Sequence, residues 1–104
     1  MSKNEIIENL KTGLNITHIH EKSIHLLEDV YFVLGRIDSD YNLCIMIPES
    51  KKSFPIELMF EKESETKLKL DNTSYRVIKC QANHNNAVAL RKTFPHCSPK
   101  PLGL

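Results

Sequence analysis

The sequence predicts an α+β fold, an antiparallel β-meander of about five strands with an N-terminal and a C-terminal helix. Three observations carry this expectation. Two wholly apolar runs, Val30-Tyr-Phe-Val-Leu34 and Leu43-Cys-Ile-Met-Ile47, flank Asp38-Ser-Asp40, whose side chains can bond local backbone, so the region reads as a hairpin. Further short runs alternate apolar and polar residues as half-buried strands do. At both ends of the chain apolar residues recur at helical rather than strand spacing.

The elements follow in order. Ser2 with Glu5 resembles a capping box, and Ile6, Ile7, Leu10 and Leu14 keep helical spacing until Gly13 offers a stop. Residues 15–27 read as a strand in which Ile16, His18 and His20 share a face, although Ile19 and Ile24 break that phase. The hairpin strands are apolar on both faces, which places them centrally, under a helix on one side and a second layer on the other. An absent domain is one candidate for that second layer. Pro48 and the loop through Ser53 end the hairpin, and Ile56, Leu58 and Phe60 then alternate as a strand. Residues 61–66 read as a solvated turn. Leu68 and Leu70 alternate with Lys67, Lys69 and Asp71, and Asn72-Thr-Ser74 turns the chain into a strand over Tyr75-Arg-Val-Ile-Lys-Cys80. Asn85 or Asn86 can cap a last helix, with Ala87, Leu90 and Phe94 on one face and Pro95 as its end.

Composition narrows the function classes. Fourteen basic against thirteen acidic side chains leave a net charge of +1, with no long basic run, so neither a nucleic-acid nor a membrane-surface footprint is expected. The 40% apolar and 26% charged residues lie in the globular range, and 104 residues suffice for one core-bearing domain. The N-terminal residues lack the apolar segment of a signal peptide and no run is long enough to span a bilayer, so the expected location is cytoplasmic. Three cysteines, Cys44, Cys80 and Cys97, fit reduced thiols better than a disulfide framework.

Motifs that carry chemistry are sparse. Cys80, His84, His96 and Cys97 offer sulfur and imidazole ligands in the number zinc takes, but adjacent His96 and Cys97 strain a single tetrahedral site and no Cys-x2-Cys knuckle is present. Surface histidines and idle thiols are the preferred reading. His18 and His20 have the two-residue spacing of metal-binding strands without a carboxylate pair nearby in sequence, and His25 has no companion. Ser23 and Ser98 lack a nucleophile elbow. Gly13, Gly35 and Gly103 are too scattered for a phosphate cradle. Asp38 and Asp40 start like a calcium loop that lacks its glycine and terminal glutamate, and Glu61 with Glu63 reads as solvated charge. No residue is assigned a catalytic, cofactor-binding or metal-binding role.

One resemblance extends this reading. Asn86-Ala-Val-Ala-Leu-Arg-Lys-Thr-Phe-Pro95, followed by Pro99 and Leu102-Gly-Leu104, resembles the segment that closes the N-terminal region of the tagaturonate epimerase family of sugar-acid epimerases. His20-Glu-Lys-Ser23 ahead of the run at Val30 is similar to that family's early Lys-Ser element. In the family a Gly-Asp-Arg-Leu-Gly motif and a metal-binding catalytic barrel follow; neither is in this sequence, so no catalytic residue carries over. The resemblance implies one domain over residues 1–98, a Pro/Gly linker over 99–104 leading to a missing barrel, and a divalent metal in that barrel only. It implies a non-catalytic role packing on the barrel of an enzyme that interconverts D-tagaturonate and D-fructuronate, with the absent domain or a second copy as partner. The other expectation is a complete β-sheet module that binds another protein through Phe32, Phe54 and Phe60 or through an open strand edge. The enzyme-front reading predicts an exposed apolar face over the central hairpin and a tendency to aggregate or oligomerise; the module reading predicts a soluble monomer or a defined complex at 104 residues.

Overall fold

A computed structural model describes residues 2–14, 16, 18–37 and 40–95. Helix α1 (Lys3–Leu14) is followed by strands β1 (His18–Leu27), β2 (Val30–Ile37) and β3 (Asp40–Pro48), a 3-10 helix (Pro55–Met59), strands β4 (Ser64–Leu70) and β5 (Thr73–Gln81), and helix α2 (His84–Thr93). The five strands form one antiparallel sheet in the order β1-β2-β3-β5-β4, so the α+β class with a helix at each end holds. A meander through β1, β2 and β3 is completed by the β4–β5 hairpin, which docks by its second strand and leaves β4 at the edge.

Local chemistry explains the boundaries. Ser2 Oγ accepts a hydrogen bond from the Glu5 amide at 3.2 Å, the forward half of a capping box, and α1 buries Ile6, Ile7 and Leu10. Gly13 does not stop the helix but lies in its last turn. In β1 the register against β2 shifts between Ile19 and Ile24, and this bulge turns both isoleucines to the same core although their spacing is odd. The mixed periodicity of residues 15–27 is that bulge. Between β4 and β5 the turn is made by Asp71 and Asn72, with φ of 51° and 68°. Two successive positive values are what a two-residue type I′ hairpin requires, and Asp and Asn tolerate them.

Two cores sit on opposite faces of the sheet. On one, Ile6, Ile7 and Leu10 of α1 and Ile16 pack on Ile24, Val33, Cys44, Met46, Tyr75 and Val77. Gly35 permits this closure: a Cβ there would meet Ile16 Cγ2 at 2.5 Å. On the other, Phe32, Leu43, Ile45, Ile47 and Ile78 are covered by Phe54, Phe60, Ala89 and Leu90. This second layer corrects the expectation of a layer from an absent domain, because the chain folds its own 3-10 segment and α2 over that face. The apolar face expected over the central hairpin is accordingly covered.

Three element assignments also change. Residues 56–60 form no strand: Pro55, with φ set by its ring, opens a 3-10 helix in which the Glu57 amide bonds Phe54 O at 3.0 Å and the Phe60 amide bonds Glu57 O at 3.2 Å. Residues 64–66, expected in a solvated turn, begin β4. The cap of α2 is Asn83 rather than Asn85 or Asn86; its side chain accepts from the Asn86 amide at 2.9 Å. The turn residues Asp38 and Ser39, and the expected linker over 99–104, lie outside the described residues. Among the described residues no helix is long and apolar enough to cross a membrane.

Candidate functional site

The strongest candidate surface is the short segment from Phe54 to Glu61, where inward and outward residues are sharply separated. Phe54 and Phe60 are 7% and 6% exposed, with ring centroids 6.2 and 5.9 Å from that of Phe32. They pin both ends of the 3-10 helix into the core. Between them Leu58 is 86% exposed and Met59 40%. An apolar side chain left this exposed gains nothing for the isolated fold, whereas its surroundings are tightly held.

Glu57 provides the hold from below. Its carboxylate, 13% exposed, takes both arms of the Arg76 guanidinium from β5, at 2.7 and 3.2 Å, and the Lys62 ammonium at 2.9 Å. Glu65 of β4 joins the set, 3.2 Å from Arg76 and 3.3 Å from Lys62. The paired guanidinium bonds hold the Glu57 carboxyl below its ordinary value against the opposing effect of burial. Those bonds raise the pKa of Arg76, and the separate bond of Lys62 to Glu57 raises that of Lys62. A forked pair of this geometry fixes orientation as well as charge.

A second hold lies just beyond the tip. Asn86 is fully buried in α2, and its Oδ1 accepts from the Glu61 amide at 2.7 Å. Its Nδ2 donates to Glu61 O at 3.3 Å and Gln81 O at 2.8 Å. One amide side chain thus joins the segment after the 3-10 helix, the end of β5 and the start of α2. The Glu61 carboxylate receives Asn83 Nδ2 at 3.5 Å and also Asn85 Nδ2, beside the positive end of the helix dipole.

The residues singled out by sequence are dispersed. Cys80 is buried on the α2 side of the sheet and Cys44 on the α1 side, so the two thiols face opposite ways. Burial pushes them to about 11 and about 12, the range of inert thiols. His84 is exposed at the first turn of α2, away from the core that holds Cys80. His96, Cys97 and Ser98 lie outside the described residues, as does Asp38, and the side chains of residues 20–22 and of Asp40 are not among those described. His18 is exposed. His25 stacks its ring 5.4 Å from that of Phe94, and burial there lowers its pKa. Phe32, Phe54 and Phe60, expected as partner contacts, are core residues, because the second layer closes over them. Among the described residues no group of three or more His, Cys, Asp or Glu side chains could hold a metal ion.

Sequence reading gave no site role to Glu57, Arg76, Asn86, Leu58 or Met59. The one local signal was Phe54-Pro55, since a proline next to an aromatic argues against a regular strand. Arg76 and Glu57 are nineteen residues apart and Asn86 and Glu61 twenty-five, so only the fold pairs them. No protein-family model, no curated protein and no solved structure matches this chain.

Proposed function

We propose that the chain is a protein-interaction module that docks through the Leu58–Met59 tip. The observation that carries this reading is the contrast between an 86%-exposed Leu58 and the clamped segment that displays it. An anchor already fixed in place loses little conformational entropy on binding, which is how a small apolar tip comes to dominate an interface. Placing a photo-crosslinking residue at position 58 in the full chain, in its own cells, tests it, with position 11 on the exposed side of α1 as control. A discrete adduct from position 58 and none from position 11 is expected. No adduct from 58, or the same adducts from both, overturns it.

The resemblance to the front of a tagaturonate epimerase gives the same tip a partner in cis, the barrel of the enzyme. In either case this chain positions or recruits and does not itself perform the epimerisation. The purified 104-residue protein is expected to leave D-tagaturonate unchanged; D-fructuronate appearing in its presence, read by chromatography, overturns that assignment.

A further inference from the structure

The sheet has two edges, and they differ. The outer edge of β1 is distorted by the register shift between Ile19 and Ile24, which blunts it as a template. Strand β4 is regular, paired with β5 without interruption from Ser64 opposite Lys79 to Leu70 opposite Thr73. Alternate residues of an edge strand turn their N–H and C=O groups outward, so β4 offers a regular row that pairs with no further strand among the described residues. Its side chains are exposed from Ser64 to Lys67 and at Lys69.

The charges along that row are arranged in opposite blocks about Thr66, with Glu65 before it and Lys67 after it. In an antiparallel pair, directly opposite residues lie on the same face of the sheet. If β4 meets a second copy of itself around a two-fold axis at Thr66, Glu65 faces the partner's Lys67 and Lys67 faces the partner's Glu65. Thr66 then faces the partner's Thr66, a pairing that allows a hydroxyl hydrogen bond. Moving the axis by one residue sets Lys67 against its own copy, or Glu65 against its own copy. Each neighbouring register thus puts one like-charge pair on its axis beside opposite-charge pairs, Glu65 with Lys69 about Lys67 or Glu63 with Lys67 about Glu65. About Thr66 the pairs Glu65 with Lys67 and Glu63 with Lys69 are all of opposite charge, which favours that register.

We propose that this protein forms a homodimer by antiparallel β4–β4 pairing centred on Thr66, continuing the sheet across the two-fold axis. The intrachain bonds of these groups leave the arrangement open. Lys67 reaches Glu49 at 3.4 Å with its side chain 81% exposed, and Glu65 bonds Arg76 and Lys62 with its own side chain 40% exposed. A seven-residue edge falls at the small end of interface sizes, so the dimer depends on concentration. The dimer does not rest on the Leu58–Met59 reading; crosslinking at position 58 and the mass in solution succeed or fail separately.

Sedimentation equilibrium on the full chain, over a concentration series reaching the millimolar range, tests this. The wild type is expected to show a monomer–dimer equilibrium. K67E and E65K each replace two opposite-charge contacts with two like-charge ones, weakening self-association about tenfold or more. An equimolar mixture of K67E and E65K restores every contact, and its dimer is expected at close to wild-type strength. A wild type that stays monomeric, a dimer that K67E leaves intact, or variants that do not recover on mixing overturns the proposal. Because Glu65 also bonds Arg76, amide hydrogen exchange of the unsubstituted protein supplies a second reading. Outward β4 amides are expected to exchange more slowly at high than at low concentration; protection confined to β1, or independent of concentration, overturns it.

Discussion

Asn86 shows how much one side chain can organise. It is fully buried and satisfies a donor and two acceptors belonging to two other segments; its removal takes this partner from the Glu61 amide and carbonyl, whereas Gln81 O keeps the Asn83 amide at 2.9 Å. Asn86→Ala is expected to destabilise the protein by about 2–3 kcal/mol, read from urea unfolding. Asn86→Asp does not rescue it, since a carboxylate would face the carbonyls of Glu61 and Gln81 with no donor. From sequence Asn86 was legible as one of two candidate helix caps and as the start of the run that carries the family resemblance, not as a buried tie. Its position three residues after the cap Asn83 leaves it inside the first turn, and the Glu61 backbone that it bonds lies twenty-five residues away in sequence.

At the scale of elements, the 3-10 helix is held to the sheet by charge as well as by its flanking rings. Because Arg76 keeps Glu57 ionised below its ordinary 4.5, the folded protein resists a proton that the unfolded chain accepts. Stability from this group is therefore complete above about 4.5 and is lost as pH falls through the lower folded value. Unfolding midpoints at neutral and acid pH are expected to diverge in the wild type, and Arg76→Ala is expected to reduce that divergence while costing about 1–3 kcal/mol at neutral pH. The expected strand over residues 56–60 failed for a related reason. Alternation of Ile56, Leu58 and Phe60 has the period of a strand, but Pro55 favours a tight turn and Arg76 draws the intervening Glu57 inward, which leaves Leu58 outside.

The molecule as a whole has two cores that share one sheet. Strands β2, β3 and β5 contribute side chains to both, so loss of either helix layer removes support from the same strands. A single cooperative transition is expected, in which Ile6→Ala on α1 and Leu90→Ala on α2 each lower the same midpoint by about 2–5 kcal/mol of stability. Two resolved transitions in thermal unfolding, one sensitive to each substitution, would contradict it. The same layering bears on function. With both sheet faces covered, surfaces left for recognition among the described residues include the Leu58–Met59 tip and the β4 edge.

The α+β class, both helices, and the central hairpin were legible from the chain alone, because apolar period and turn chemistry are local properties that need no partner to be read. The apolar character of Val30 to Leu34 and Leu43 to Ile47 on both faces likewise demanded two covering layers. What supplied the second layer was decided only in three dimensions. It depends on Phe54, Phe60 and Leu90 converging on Phe32 and Ile45 from distant parts of the chain. The placement of β5 inside β4, the pairing of Glu57 with Arg76 and the exposure of Leu58 are of the same kind. Each is a long-range contact whose energy exists only once the sheet has formed, so no local pattern encodes it.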